Sequence, residues 1–247
     1  MTINKNGNIY SQEFSEGIPQ NDLTIIGESK KTGTIIEFIP DDKIMEVTQF
    51  DSTILKNRFK EMAYLNKNIE INFIDENTNT KERFCFEGGL KEFVNDINEK
   101  ELISQIISFN DKDGEVEIDI ALAYNNSYSE KLLSFVNNIR TIEGGTHESG
   151  FRMGLSRAIM NYIDTNANAR DKDAKIQGDD IREGLVAIVS ARVMEPQFEG
   201  QTKGKLGNSF VRNIVQKLTY EKISKFFEEN PNDAKAIIQK AMLAAKG

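Results

Sequence analysis

Cysteine and histidine each occur only once in the 247 residues, and tryptophan is absent. A single cysteine cannot form an internal disulfide, which fits a protein of the reducing cytoplasm. Cys85 lies in the strand-like run 83–86, where a half-buried strand cysteine is favoured over a reactive nucleophile. The sequence also has no set of cysteines and histidines with the spacing of a metal site.

Long hydrophobic runs are missing as well. No apolar stretch approaches the roughly 18 residues needed to span a bilayer, and residues 1–6 lack the apolar core of a secretory signal. These features predict no membrane partner. Hydrophobic residues make up 38% of the chain and charged residues 28%, a composition that favours a folded globular protein over disorder.

Positive charge is in the minority, since 31 lysines and arginines stand against 39 aspartates and glutamates, for a net charge of −8. Binding to nucleic acid needs clustered positive charge close to the phosphates. The acidic total therefore argues against DNA covering the whole surface, but it is compatible with a local basic lining.

The motifs of several enzyme classes are also absent. The sequence has no phosphate loop of the G-x-x-x-x-G-K-[ST] type and no nucleophile elbow. The residues alone therefore predict two α-and-β domains, with a boundary near Gly88-Gly89, but they predict no reaction.

Strands and helices are mixed in the first half of the chain. The run 34–39 predicts a strand, and Asp51 or Ser52 is placed to cap the helix that follows. A hairpin is predicted from the runs 69–75 and 82–86, which flank a polar turn.

The second half has a pattern of its own. Alternating apolar residues in 116–122 predict a half-buried strand that turns back into a partner strand at Lys131–Val136. The polar residues 165–175 predict a solvated loop, and the apolar run Leu185–Val193 predicts a buried central strand. Two helices close the chain, and Asn230 is placed to cap the last one.

Four segments carry a family resemblance. They are Thr32-Gly33-Thr34, 143–152 (EGGTHESGFR), 178–185 (GDDIREGL) and 196–203 (PQFEGQTK). In this order and at these spacings they resemble the ATPase region of the B subunits of bacterial type IIA DNA topoisomerases. The last two are highly specific as a pair, and the Arg-Glu-Gly-Leu stretch is closer to gyrase than to topoisomerase IV. The resemblance covers essentially the whole chain.

The resemblance implies an α+β fold in two parts. Residues 1–88 would be the C-terminal part of a GHKL-type ATPase sandwich, and residues 89–247 a transducer domain with a βαβ core and long C-terminal helices. Family members begin with a helix that carries the catalytic glutamate and a magnesium-binding asparagine, followed by a glycine-rich lid. No match to these precedes Thr34, so we expect a fragment or truncated product that does not hydrolyse ATP alone.

The resemblance also implies a function and partners. The complete enzyme would couple ATP binding and hydrolysis, with Mg²⁺, to DNA strand passage and negative supercoiling. Its partners would be the gyrase A subunit, a second B subunit that pairs on ATP binding, and DNA. Two alternatives stay open: a topoisomerase IV B subunit, and a stand-alone, non-catalytic module that binds a partner or DNA. Mismatch-repair and chaperone ATPases of the same superfamily lack the Gln-Thr-Lys loop.

Three residues are implied to contact the nucleotide. Gln201 and Lys203 would contact the γ-phosphate, for which a lysine ammonium supplies charge and three donors. The hydroxyl of Thr34 would help to fix the adenine end through water. The resemblance places no catalytic residue and no metal ligand within this chain.

The other polar residues have more than one interpretation. Arg152, by resemblance, would face the cavity between two paired subunits and attract passing DNA without reading its sequence. His147 is interpreted as structural, since it lies in a glycine turn that enters a helix. Asp179-Asp180 is interpreted as helix-start chemistry with Glu183, rather than as a metal pair.

Overall fold

The computed structural model describes residues 1–166 and 176–246. The chain divides into two compact units, Met1–Leu55 and Lys56–Gly247. This division does not coincide with the predicted boundary at Gly88-Gly89, and the assignment of 1–88 and 89–247 to separate domains stays a prediction.

The described residues form helices and strands throughout. The helices are α1 (Ser52–Leu65), α2 (Leu90–Ile97), α3 (Thr146–Asn166), α4 (Gly178–Arg182), α5 (Ser209–Glu229) and α6 (Pro231–Ala244). The strands of the first unit are β1 (Thr2–Lys5), β2 (Asn8–Ser11), β3 (Phe14–Ser15), β4 (Ile18–Pro19), β5 (Thr24–Glu28) and β6 (Gly33–Ile35). The strands of the second unit are β7 (Ile71–Asp75), β8 (Thr80–Phe84), β9 (Ile107–Asp113), β10 (Val116–Tyr124), β11 (Lys131–Val136), β12 (Ile139–Arg140), β13 (Leu185–Val193), β14 (Phe198–Glu199) and β15 (Lys205–Leu206).

The first unit contains an antiparallel sheet of order β5–β2–β1–β6. The strand predicted over 34–39 is wrong in length, because β6 covers only Gly33–Ile35. The register places Ile35 opposite Thr2, at the outer end of β1. Residues 36–39 therefore lie beyond the ladder, and a strand continues only where its backbone groups find hydrogen-bonding partners.

The second unit is built on a mixed five-stranded sheet of order β12–β11–β13–β10–β9. The prediction that Leu185–Val193 is a buried central strand is confirmed: β13 pairs parallel with β11 and antiparallel with β10. The connection from β11 to β13 passes through α3, as the long crossover between parallel neighbours requires. After the C-terminal end of β13 the chain continues into β14 and β15.

The predicted pairing of β10 with β11 is wrong, because β13 lies between them. A buried strand needs neighbours on both sides to satisfy its backbone groups, and β13 takes β10 and β11 as those neighbours. The hairpin partner of β10 is β9, with Asp113 opposite Val116 across a two-residue turn. β9 was not predicted, since its run ISFNDKD is too polar to show apolar alternation.

The two faces of this sheet are covered by different helices. Ile118 and Ile120 of β10 belong to a large core that includes residues of α3, α5 and α6. Ala121 and Ala123, which point to the other face, pack in a smaller core with Tyr64 of α1 and residues of α2. The sheet is thus covered on both faces and supports the loops at its ends.

The predicted cap of α1 and the predicted hairpin before α2 are both confirmed. The carboxylate of Asp51 accepts hydrogen bonds from the amides of Thr53 (2.8 Å) and Ile54 (3.1 Å), so it caps α1 as predicted. The predicted hairpin before α2 is formed by β7 and β8.

The predicted cap of the last helix is confirmed in position, with Pro231 following it, but its side chain makes no capping bond. Asn230 stands at the N-cap position of α6, but its side-chain amide donates to the carbonyl of Phe226 (3.0 Å) and its side-chain oxygen accepts from Gln105 (2.9 Å). Both polar groups are therefore engaged away from the α6 amides. Of the predicted loop 165–175, Thr165 and Asn166 end α3, and 167–175 lie outside the described residues. No helix in the described ranges is long and apolar enough to cross a membrane.

Candidate functional site

A short hairpin after the central strand carries two of the predicted nucleotide contacts. β14 and β15 pair with Phe198 opposite Leu206, and the residues 200–204 between the strands form what we call the hairpin loop. Gln201 and Lys203 both lie in this loop with exposed side chains. The structure therefore brings these two residues together on one projecting segment.

The base of the hairpin loop is fixed by a buried asparagine. The Oδ1 of Asn208 accepts from the amide of Gln197 (2.6 Å), and its Nδ2 donates to the carbonyl of Glu195 (3.1 Å). The amide of Gly207 also donates to the carbonyl of Gln197 (2.7 Å). Because Asn208 is buried, these bonds hold both ends of the hairpin to the body of the second unit.

Lys203 stands out within the hairpin loop. Its backbone adopts a left-handed conformation (φ 55°), and its amide donates to the carbonyl of Gly200 (3.3 Å). Its ammonium makes no hydrogen bond or ion pair with any described residue. Lys205, two residues on, is instead bound to the carboxylate of Glu199 (3.0 Å). Lys203 therefore presents a free positive charge from an anchored base, which suits an incoming anion.

The hairpin loop is hydrogen-bonded to the glycine turn that leads into α3. The amide of Glu143 donates to the carbonyl of Gly204 (2.9 Å), and the amide of Leu206 donates to the carbonyl of Gly144 (3.2 Å). These two backbone bonds join the hairpin to the start of a 21-residue helix.

His147 lies in the first turn of α3 and is fully buried. Its Nε2 is 3.1 Å from the hydroxyl of Thr141. Burial lowers the pKa of His147 to about 4, so the imidazole is neutral near pH 7. A neutral, buried imidazole with a hydroxyl partner favours the structural interpretation over a catalytic one.

Arg152, one turn further along α3, is held by two carboxylates. Its guanidinium binds Glu130 (2.6 Å) and Glu148 (3.0 Å), and Arg182 also lies 3.4 Å from Glu130. The side chain of Arg152 is only 29% exposed. A DNA phosphate would have to compete with both carboxylates for this guanidinium, and the contact between Arg152 and DNA stays a prediction.

Thr34 lies in the first unit, in β6, with an exposed side chain. Its backbone is opposite Ile3 of β1. An exposed strand hydroxyl is available for a water-mediated contact, and the role of Thr34 at the adenine end of a nucleotide stays a prediction.

The acidic pair that precedes β13 starts a helix, although in a different register from the one predicted. The carboxylate of Asp180 accepts from the amide of Gln177 (2.7 Å) at the start of α4, and Asp179 pairs with Arg182. Glu183 takes no part, because it binds Lys240 (2.9 Å). Within the described ranges no group of three acidic, histidine or cysteine side chains could hold a metal ion.

A cavity of about 330 Å³ lies beside this helix start. Its lining residues are Tyr128, Glu130, Asp179, Asp180, Arg182 and Glu183. Four carboxylates and one guanidinium give the lining a negative charge, which opposes a polyanion such as a nucleoside triphosphate. The exposed hairpin loop is therefore the better candidate for a phosphate contact.

A family model matches the second part of the chain, and curated relatives match all of it. A family model described as DNA gyrase B matches residues 89–247. The DNA gyrase B protein of Campylobacter jejuni is 59% identical over 246 residues, which cover 100% of this chain and 32% of that protein. The DNA gyrase B protein of Helicobacter pylori is 54% identical over 251 residues, with the same coverage of 100% and 32%. The chain thus spans about a third of the length of these curated relatives.

A solved structure matches both units of the chain. The 43K ATPase domain of Thermus thermophilus gyrase B, determined in complex with an aminocoumarin, is similar with a TM-score of 0.86 at 33% identity. The match covers 99% of this chain and 67% of that one. The predicted α+β class, with its likeness to a GHKL-type ATPase domain, is confirmed by this match.

Proposed function

Because the chain belongs to the DNA gyrase B family, we propose that it is part of a cytoplasmic type IIA topoisomerase subunit. The complete subunit would couple ATP binding and hydrolysis to DNA strand passage and negative supercoiling. The observation that carries the proposal is the anchored hairpin loop with the free ammonium of Lys203. Gyrase is favoured over topoisomerase IV, since the matching family model is that of gyrase B.

In this proposal the hairpin loop binds the terminal phosphate of ATP. The free ammonium of Lys203 supplies the charge, and the exposed amide of Gln201 supplies a neutral donor. The hydroxyl of Thr34, in the first unit, fixes the adenine end through water. These side chains bind and orient the nucleotide, whereas the resemblance assigns the Mg²⁺ ligands and the water-activating glutamate to other parts of the subunit.

A phosphate contact of this kind makes the loop a sensor. Lys203 and Gln201 have a partner only while the γ-phosphate is present, so the free energy of the loop-bound state differs between ATP and ADP. A ligand shifts a conformational equilibrium only through such a difference in affinity for the two states. Release of the phosphate then frees the hairpin loop, and the change passes to the sheet and helices from which the loop extends.

The proposed partners are the gyrase A subunit, a second B subunit and DNA. Arg152 is the proposed DNA contact within this chain. Glu130 and Glu148 offset its charge, so its attraction for a phosphate should be weak and strongly dependent on salt.

Changing Lys203 to alanine in the complete subunit, assembled with its gyrase A partner, should lower ATP turnover. Loss of a charge-assisted phosphate contact in a protected site costs about 1.5–3 kcal/mol, which corresponds to roughly a 10- to 150-fold loss of kcat/KM. Steady-state phosphate release measures the effect, and ATP-driven supercoiling should fall with it.

The matched control is Lys205→Ala, on the same hairpin. It removes the same charge two residues away, but from a lysine that is already bound to Glu199. For Lys205→Ala we expect ATP turnover within about twofold of wild type. Neither variant should change thermal stability much, because exposed lysines add little to folding. Equal turnover in Lys203→Ala and wild type would refute the phosphate contact.

A further inference from the structure

We propose that Thr141 and Ser134 are positioning residues that tie the state of the hairpin loop to the ion pairs of Arg152. This role rests on the proposed function, in which the loop binds the terminal phosphate and Arg152 attracts DNA. Neither hydroxyl has an assigned contact with nucleotide or DNA, and both are buried beneath the glycine turn.

The first link joins the hairpin loop to the turn through backbone alone. Besides the two hydrogen bonds made by Glu143 and Gly144, the backbone of Gly145 lies directly against Leu206 of β15 and forms a parallel bridge with it. A Cβ atom added to Gly145 would lie 2.5 Å from the Leu206 amide nitrogen. Backbone packed this closely cannot slide independently, so a shift of the loop base moves the turn.

The second link is a chain of side-chain hydrogen bonds below the turn. The hydroxyl of Thr141 lies between His147 Nε2 (3.1 Å) and the hydroxyl of Ser134 (2.7 Å). Ser134 in turn donates to Oε2 of Glu148 (3.0 Å). We call Thr141 and Ser134, with their bonds to His147 and Glu148, the hydroxyl chain.

The direction of the hydroxyl chain follows from its two ends. The Nδ1 of His147 is buried with no partner among the described residues, and an orphaned buried N–H is rarer than an orphaned acceptor, so we assign the proton to Nε2. His147 then donates to Thr141, and Thr141 donates to Ser134. Ser134 has a second acceptor in the carbonyl of Thr141 (3.1 Å), but the charged carboxylate of Glu148 is the stronger one.

The third link is Glu148 itself, whose two oxygens have separate partners. Oε2 accepts from Ser134, and Oε1 accepts from both Nε (3.2 Å) and Nη2 (3.0 Å) of Arg152. The hydroxyl chain therefore orients the carboxylate that holds Arg152 on one side, while Glu130 holds it on the other. A turn displaced with the hairpin loop loosens the Glu148 side and leaves the guanidinium held by Glu130 alone, so that a phosphate has one carboxylate fewer to compete with.

Such a link has to work in both directions. If binding at the hairpin loop changes the affinity of Arg152 for DNA, DNA must change the affinity for the nucleotide by the same factor. Hydrogen bonds in a buried chain reinforce one another, so loss of one hydroxyl weakens the others. The coupling should therefore depend on each hydroxyl of the chain.

The test uses Thr141→Val, which is nearly isosteric and lacks the hydroxyl, and Thr141→Ser, which keeps it. In the complete assembled enzyme, we expect DNA-free ATP turnover within about twofold of wild type for both variants. In the wild-type enzyme, DNA should raise the affinity for a non-hydrolysable ATP analogue. In Thr141→Val the factor of this increase should be smaller by about fivefold or more, which is the lower end of typical coupling between two sites. Thr141→Ser should restore it.

Ser134→Ala is the second variant, and it removes the bond to Glu148 directly. It should show the same loss, and it serves if Thr141→Val does not fold. Coupling at the wild-type level in a folded Thr141→Val or Ser134→Ala enzyme overturns the proposal, as does failure of Thr141→Ser to restore it. That outcome is distinct from failure of the phosphate contact, which appears in Lys203→Ala as unchanged turnover without DNA.

Discussion

Replacing Gly154 by alanine should destabilise the second unit by about 2 kcal/mol, although alanine is the better helix former. α3 and α5 pack so closely that a Cβ at Gly154 would lie 2.6 Å from the carbonyl oxygen of Gln216 and 2.8 Å from Cβ of Thr219. Overpacking of this kind typically costs about 1–3 kcal/mol, and the nearest atom here is backbone that cannot rotate away. The gain of about 1 kcal/mol in helix propensity offsets only part of the cost.

Gly150, one turn earlier on α3, also packs against the backbone of α5. A Cβ there would lie 2.5 Å from the carbonyl oxygen of Arg212 and 3.0 Å from Cβ of Val215. The two glycines thus set the distance between α3 and α5, and the double change Gly150→Ala with Gly154→Ala should prevent native packing of the two helices.

Hydrogen exchange of the α3 and α5 amides measures this effect without assuming a two-state transition for a chain of two units. Asn161→Ala, at an exposed position of α3, is the matched control, because it improves helix propensity without a clash. We expect faster exchange in Gly154→Ala and equal or slower exchange in Asn161→Ala. Unchanged protection in Gly154→Ala would show that the helices separate at little cost.

Gly145→Ala should have the second large effect, and it should disable the hairpin loop. Gly145 has φ 141°, which L residues rarely adopt, and its Cβ would lie 2.5, 2.7 and 2.9 Å from N, O and Cα of Leu206. Backbone strain alone costs about 1–3 kcal/mol, and the clash adds to it. The turn and β15 must therefore separate, which breaks the bond from the Leu206 amide to Gly144.

The expected result is rapid exchange of the Leu206 amide and, in the complete assembled enzyme, at least about a tenfold fall in ATP turnover. The fall follows because a phosphate contact misplaced by about 1 Å loses most of its effect. Gly207→Ala is a milder comparison on the same hairpin, because its Cβ would lie 3.3 Å from the carbonyl oxygen of Gln197, a contact that a shift of a few tenths of an ångström relieves, and we expect a smaller fall in turnover. An intact Leu206 bond in Gly145→Ala would contradict the close packing of the turn on the hairpin.

The sequence predicted those elements whose signal is local. Seven of the nine residues of β13 are apolar and identify a strand buried on both sides, and Asp51 is a capping residue at the right distance from α1. β9 was missed because its polar residues hide the period of two, although Asp113 is followed by glycine, which is a hairpin signal. The position of β13 between β10 and β11 depends on pairing across about sixty residues, which no local pattern records.

The candidate site divides in the same way. Family motifs located Gln201 and Lys203, and the structure places them on one exposed loop. Sequence reasoning missed Asn208, because an asparagine before a helix is a routine capping signal, whereas here its side chain fixes the hairpin instead. The carboxylate of Glu130 binds Arg152 although it lies 22 residues away in the sequence. The residues next to Arg152 therefore do not show that this second carboxylate offsets its charge.

The affinity of the complete assembled enzyme for two nucleotides, measured in wild type and Lys203→Ala, tests the central claim most directly. If Lys203 reads the γ-phosphate, the variant should lose about 10- to 150-fold in affinity for a non-hydrolysable ATP analogue, the equivalent of a charge-assisted contact. Its affinity for ADP, which has no γ-phosphate, should change by less than about threefold. Equal weakening of both nucleotides, or no weakening of either, would contradict the account and leave Lys203 as an ordinary surface lysine.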